Sequence, residues 1–469
     1  MRTEASLFLY IVYFTAVLVC PVEADLRDSI NLILSRPSEK NVRYGINIIE
    51  ADSGKRLYAK NIAEPMIPAS NMKVVTTAAA LHYLGPDYAF ETTVALEDDT
   101  LVIIGGGDPL LGDRITDIKY GREKDWIFKD IAQALIHNDV NNVKDIIVDT
   151  TIFDDERVHS NWPAEELNRW YACEVSGLNY NDNCIEITCT NRNGRIQVDV
   201  DPQTEFIKII NQVRGVSSGS GAVGAYRTET FNTLLLRGKC RATQGPFRVA
   251  IERPAAFFAF QLAENLTKHN ITVSGQVIEK GVTNPSGLKV LTTFHTPIAE
   301  CLDRANKDSL GLVAEALLKT IAAYANGNKN GSWSGGQKLI SEYLTGLGIR
   351  PNKFYIDDGS GLSRNNKLSA DCITAVLRAV YKSENRQIYM QSLAEGGIDG
   401  TIDRYFDEPK YKGKIIGKTG YINGVKSFSG YCSTADKDYI FSIIANGANG
   451  TTRRAINDIA KAVIDNNSP

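Results

Sequence analysis

Hydrophobic positions along the chain change period from one region to the next. Tyr44-Gly45-Ile46-Asn47-Ile48-Ile49, the turn Asp52-Ser53-Gly54 and Arg56-Leu57-Tyr58-Ala59 form a hairpin pattern. A helix is predicted over 72–84, apolar and alanine-rich, with Pro68 near its start and Gly85-Pro86 as its stop. From about 97 to 289 the texture differs. Short β-like runs at 100–104, 145–148, 184–188, 197–200 and 234–237 alternate with turn clusters, and one helical stretch lies at 254–269. Residues 216–225 (Val-Ser-Ser-Gly-Ser-Gly-Ala-Val-Gly-Ala) read as a mobile loop. Beyond 290, helical periodicity returns at 309–323 and 371–383. Three antiparallel strands follow at 414–418, 425–432 and 439–445, then a closing helix over about 451–466. No internal repeat is visible. The layout predicts a mixed α/β domain, built from 25–96 and 290–469, that a long β-rich insertion splits.

A chain of 469 residues exceeds what one hydrophobic core usually supports, so more than one domain is expected. The net charge of −3, with no long basic run, excludes a nucleic-acid protein, whose phosphate contacts need clustered Lys and Arg. Arg2, an apolar stretch at 7–19 and Pro21-Val22-Glu23-Ala24 form the three parts of an export signal. Residues 1–24 are therefore expected to be a cleaved signal peptide, with a buried N-terminal helix or an uncleaved anchor as the alternatives. No later segment reads as a membrane span, so no stable membrane anchor is expected after cleavage. Seven cysteines follow the signal, an odd number and too few for a disulfide scaffold. Pairing among Cys173, Cys184 and Cys189 is left open.

Candidate chemistry begins at Ser70-Asn71-Met72-Lys73, a hydroxyl and an amine at i and i+3 in the first turn of the 72–84 helix, where they share a face. Such a lysine can accept a proton only if burial or a second cation lowers its pKa. The spacing alone is weak: Ser286-Gly287-Leu288-Lys289 matches it too, but opens a turn into a strand. Lys418-Thr419-Gly420, followed by Tyr421, ends a β-like run. Its strand edge offers N–H groups, its lysine a positive charge, and its glycine room for a substrate backbone. Together, in this order, the two motifs form the penicillin-recognising signature. Gly215-Val216-Ser217-Ser218-Gly219 lacks the strand-to-helix context of a nucleophile elbow. Gly105-Gly106-Gly107 has no following Walker lysine, and a tight turn explains it better. The five histidines are scattered without metal spacing, so neither metal nor cofactor is expected.

Further pieces carry a resemblance. They are Gly105-Gly106-Gly107-Asp108-Pro109, Trp162 with Trp170-Tyr171, Asn306-Lys307-Asp308-Ser309 leading into Ala314-Glu315-Ala316-Leu317-Leu318, Asp358-Gly359-Ser360-Gly361-Leu362-Ser363, and Gly396-Gly397-Ile398-Asp399-Gly400-Thr401. With these the chain resembles the low-molecular-mass class C penicillin-binding proteins, the D-alanyl-D-alanine carboxypeptidases/endopeptidases. The resemblance implies a serine β-lactamase-like catalytic domain, an antiparallel sheet flanked by helices. It also implies an insertion domain at 97–182 and 245–289, with a nested β-rich domain at 183–244.

By the same resemblance, Ser70 attacks the D-Ala-D-Ala carbonyl of a peptidoglycan stem peptide. Lys73 takes its proton, helped by neighbouring Lys418, and Ser309 relays it to the departing D-alanine. Lys418 and Thr419 hold the terminal carboxylate, Gly420 lets the substrate approach, and the N–H groups of Ser70 and Tyr421 form the oxyanion hole. Trp162 and Trp170 are packing residues by default; their family position implies a wall for the stem peptide's diamino-acid side chain. β-Lactams are the expected inhibitors, and the exported protein is expected in the periplasm. One departure stands out. The family's Ser-x-Asn reads Ser309-Leu310-Gly311 here, so an amide is missing, and Gly311→Asn is expected to raise the rate. A weak penicillin- or wall-peptide-binding protein therefore stays open as the alternative, with a β-lactamase as a minor third reading.

Overall fold

A computed structural model describes residues 25–467. The expected signal peptide, 1–24, lies outside the described residues. The hairpin predicted near the N-terminus forms strands Arg43–Glu50 and Arg56–Lys60. They join a six-stranded antiparallel sheet in the order Ala394–Glu395, Ile415–Ile422, Val425–Ser433, Asp438–Asn446, Arg43–Glu50, Arg56–Lys60. Its central strands are buried on both faces, since helices cover each side. Residues so placed run nearly continuously apolar rather than alternating, as Tyr439 to Ala445 do. Helices Leu26–Leu34 and Thr452–Asp465 pack on one face. On the other lie Met72–Leu84, Ile298–Lys307, Gly311–Ala325, Trp333–Gly346 and Ala370–Tyr381. Helix Met72–Leu84 is sandwiched so completely that ten of its 13 residues are buried, which its small Ala78-Ala79-Ala80 run allows.

A second sheet of five strands runs Val277–Glu279, Ile146–Asp149, Thr100–Gly105, Ala89–Glu97, Lys289–Pro297, backed by helices Trp126–His137 and Pro254–Lys268. Its outer pairing begins at Ala89 and ends at Pro297, so the passage between sheets falls outside the 96/97 and 289/290 positions read from the sequence. Two three-stranded sheets complete the β-rich region: Thr243–Ala250, Cys184–Arg192, Arg195–Asp201, and Ala222–Arg227, Thr233–Cys240, Lys208–Gly215. The second corrects the loop expected at 216–225. Ala222 to Ala225 are strand residues whose glycine and alanines gain their β-conformation from pairing with Leu236 to Lys239. All seven described cysteines are free and buried, so Cys173, Cys184 and Cys189 do not pair. Among the described residues no helix is long and apolar enough to cross a membrane.

Candidate active site

Ser70 occupies a single 3-10 turn, Ala69–Asn71, that runs directly into helix Met72–Leu84. Ala69 holds a positive φ of 49°, a strained conformation for a residue with a Cβ, which tertiary contacts must impose. Those contacts come from the strand Ile415–Ile422 and its neighbour. The Asn71 amide donates to the Lys418 carbonyl (2.7 Å) and accepts from the Ser429 hydroxyl (2.6 Å). The Ser427 hydroxyl donates to the Pro68 carbonyl at 2.6 Å. Gly420 is the point of closest approach. A Cβ there would stand 2.2 Å from Ser427 Oγ, 2.9 Å from the Pro68 carbonyl and 3.0 Å from Ser70 N, so only glycine brings this strand against the serine turn.

Lys73 lies one turn on, its Nζ 3.4 Å from Ser70 Oγ and donating to the Ser360 carbonyl at 2.8 Å. Its side chain is buried, and loss of hydration pushes its pKa down to about 8 against the opposing charges of Glu315 and Asp358. Lys418 is fully buried and pushed well below the ordinary lysine value, first by desolvation and then by repulsion from Lys73 and Arg453. The charge of Lys73 thus counts against a proton on Lys418, while at Lys73 itself burial is the effect that lowers the pKa. Glu315 and Asp358 set this geometry. Glu315 accepts from Trp333 Nε1 (2.8 Å), Gly359 N (2.9 Å) and Ser360 N (2.7 Å). Asp358 accepts from Gly361 N, Ser363 N and the Asn366 amide. Together they fix the loop whose Ser360 carbonyl holds Lys73. Glu315 was absent from the residues given a role by sequence reasoning; its signal was a lone carboxylate inside the apolar run from Leu312 to Leu318.

The strand carrying Lys-Thr-Gly has one open edge. Ser433 N bonds to the Lys414 carbonyl on the inner side, and Gly396 N to the Ile415 carbonyl on the outer side. Antiparallel pairs alternate, so odd-numbered residues direct their N–H and C=O groups outward. The neighbouring strand Ala394–Glu395 ends opposite Ile416 and Gly417, leaving the outward groups of Thr419 and Tyr421 uncovered by it. The Thr419 hydroxyl bonds to Thr401 Oγ1 at 2.8 Å.

Ser70, Lys73, Ser309, Trp170 and Tyr421 meet around one pocket of about 430 Å³, whose wall also includes Glu166, Tyr171 and Leu362. Lys418, Thr419 and Gly420 stand behind or along its strand side. Trp162 does not reach it: its ring is buried, stacks edge-on to Trp333, and donates Nε1–H to Asp358 at 2.9 Å. A wall position for Trp162 is therefore corrected. A buried indole must satisfy its N–H, and Asp358 draws it behind the Lys73 loop. Gly311 opens helix Gly311–Ala325, and a Cβ on it would lie 2.8 Å from the Tyr171 carbonyl. The sequence reading saw a missing amide at this position; the structure shows it occupied by the backbone of the insertion.

Ser309, with a φ of 61°, precedes that helix in a turn held by Arg304. The Arg304 carbonyl accepts from Leu310 N, while its guanidinium forks onto Asp113 (3.0 and 2.9 Å) and also binds Asp308. Beyond Asp113 stands Asp182, buried and paired with Arg248, with Oδ1 lacking any donor. Where two carboxylates meet with no donor between them, a proton relieves their repulsion. Burial first, and then the charge of Asp113, push Asp182 up to about 7, against the pull of Arg248 and Arg304. Its folded pKa exceeds its unfolded value, so the stability it contributes is fully present at acid pH and lost as pH rises through 7. Wild-type unfolding free energy is expected to fall at about 1.4 kcal/mol per unit between about pH 4.5 and 6.5, and to level off above about pH 7.5, where Asp182 is ionised in folded and unfolded chains alike. Asp182→Asn should flatten that slope. Urea titrations across this range would disprove the assignment if both chains kept the same slope.

The model of the D-Ala-D-Ala carboxypeptidase 3 (S13) family matches residues 26–466. The D-alanyl-D-alanine carboxypeptidase of Actinomadura sp. (strain R39) is 28% identical over 461 residues, spanning 92% of this chain and 83% of its own. D-alanyl-D-alanine carboxypeptidase DacB of Haemophilus influenzae is 24% identical over 387 residues, 79% of this chain and 78% of its own. Among solved structures, penicillin binding protein 4 (dacB) from Haemophilus influenzae has the same fold. Its TM-score is 0.80 at 22% identity, over 92% of this chain and 98% of that one. This match, with the mixed α/β architecture and antiparallel catalytic sheet described above, is the penicillin-binding fold expected from the sequence. Matched almost end to end, the chain belongs to the D-Ala-D-Ala carboxypeptidase 3 (S13) family of peptidases.

Proposed function

We propose that this protein is a serine D-alanyl-D-alanine carboxypeptidase/endopeptidase that cleaves peptidoglycan stem peptides outside the cytoplasm and is inhibited by β-lactams. The observation that carries the reading is Lys73 Nζ, buried and 3.4 Å from Ser70 Oγ, with its pKa lowered to about 8. At pH 7 about a tenth of such lysines are neutral, against fewer than about one in a thousand at the ordinary value. Neutral Lys73 takes the Ser70 proton as Oγ bonds to the carbonyl carbon of the penultimate D-alanine. The N–H groups of Ser70 and Tyr421 receive the oxyanion. The amide C–N bond then breaks, and the proton returns through Ser309 to the departing amine. Lys418 and Thr419 hold the terminal carboxylate. Water finally attacks the ester and restores Ser70; a β-lactam forms the same ester and stalls there.

The acyl-side pocket gives the reading a specificity. Glu166 is a carboxylate on a wall otherwise built from Trp170, Tyr171 and Leu362. An acyl side chain with an apolar stem and a terminal amine fits that combination, as a diamino acid provides. A pentapeptide ending in D-Ala-D-Ala and carrying a free diamino-acid amine should release D-alanine. After penicillin treatment, peptide mapping by mass spectrometry should place the adduct on Ser70. An adduct elsewhere, or none, rules the reading out. An adduct without measurable D-alanine release favours the weak-binder alternative that Gly311 raises, and rapid loss of the adduct favours a β-lactamase.

A further inference from the structure

Arg453, at the start of helix Thr452–Asp465, reaches the Lys-Thr-Gly strand from the sheet face opposite Ser70. Its guanidinium donates to the Gly420 carbonyl at 3.1 Å and to the Ser427 carbonyl at 3.3 Å. The side chain is half-buried, and no carboxylate among the described residues pairs with it; its electrostatic partner of opposite tendency is the Tyr405 phenol. Desolvated cations ordinarily have an anionic partner, because the lost hydration is otherwise uncompensated. Lys418 and Lys426 lie close enough for Arg453 to repel both their protons. Positive charge thus accumulates behind the open edge at Thr419 and Tyr421, where the protein supplies few anions of its own. Of these cations, a guanidinium is the one that keeps its charge at any pH the protein meets.

We propose that Arg453 is a positioning residue for the substrate's terminal carboxylate, a permanent cation behind the Lys418–Tyr421 edge that makes the site prefer peptides ending in a free acid. It acts in two ways. Its charge attracts the carboxylate through the thin strand, and its two hydrogen bonds draw electron density from the Gly420 and Ser427 carbonyls, whose negative ends would otherwise repel an anion. This rests on the Ser70 reading proposed above.

The test uses two peptides that differ only at the terminus, an acyl-D-Ala-D-Ala acid and its C-terminal amide, with kcat/KM measured for each. Arg453→Gln should lower kcat/KM for the acid about 10- to 30-fold and for the amide less than about threefold, so the preference for the acid collapses. Arg453→Lys keeps the charge and should keep the preference within about threefold; it is the variant to read should the glutamine chain fail to fold. A purely structural role lowers both peptides equally, and an unchanged preference in Arg453→Gln overturns the proposal. So does a lost preference in Arg453→Lys. A wild-type chain that cleaves neither peptide and takes no penicillin on Ser70 overturns both this proposal and the reading beneath it.

Discussion

Replacing Lys73 by methionine is expected to slow acylation of Ser70 by a fluorescent penicillin about 10³-fold, the scale of a lost general base. The substitution suits the site physically. Lys73 is 2% exposed, so most of its length is an aliphatic stem in a closed space, which methionine fills with one heavy atom fewer and no charge to desolvate. The folded state should therefore be as stable as the wild type or slightly more so, and melting curves would separate lost chemistry from lost structure. The pH profile adds a second readout. Below about 8 the wild-type rate should rise nearly tenfold per unit as the lysine loses its proton, and above 8 it should level off. The methionine variant should lack that rise. A residual rate within tenfold of wild type would mean that another group serves as base. Glu315, the carboxylate whose charge weighs most on Lys73, would be a poor candidate, since three donors already occupy its oxygens.

The serine and lysine of this pair were legible because their relation is local: i and i+3 on a helix share a face in any protein. The hairpin at Arg43–Lys60 and the three late strands were legible for the same reason, their apolar runs and turn residues being contiguous. What escaped was set by distant segments. Ala222–Arg227 has the composition of a loop and becomes a strand only because Thr233–Cys240 pairs with it. Trp162 reads as an aromatic near the site, yet its place is decided by a carboxylate 196 residues away. Arg453 carries no local signal, since it is one of two arginines at the polar opening of helix Thr452–Asp465. The helix opening at 311 began two residues later than the periodicity implied, because Ser309 turns left-handed under the hold of Arg304.

Gly311 concentrates that lesson and yields the last prediction. From the sequence alone, Gly311→Asn restores a missing amide and a slightly better helix former, worth about 0.3 kcal/mol of helix propensity, and the rate should rise. The structure reverses the sign. A Cβ at 311 meets the Tyr171 carbonyl at 2.8 Å, and the atom in the way is backbone, in the one-turn segment Trp170–Ala172 that forms a wall of the pocket around Ser70. Either that wall or the helix start beside Ser309 has to give. Overpacking of this kind costs about 1–3 kcal/mol, which exceeds the gain in propensity. Gly311→Asn is therefore expected to slow acylation about tenfold and to lower the melting temperature by a few degrees. Gly311→Ala separates the causes, because it adds the Cβ without the amide. If the carbonyl is the obstacle, both variants lose rate to a similar degree. If the missing amide is the handicap, asparagine gains and alanine does not. An asparagine variant faster than wild type would show that the insertion's backbone yields, and that the family amide still has a place beside Ser309.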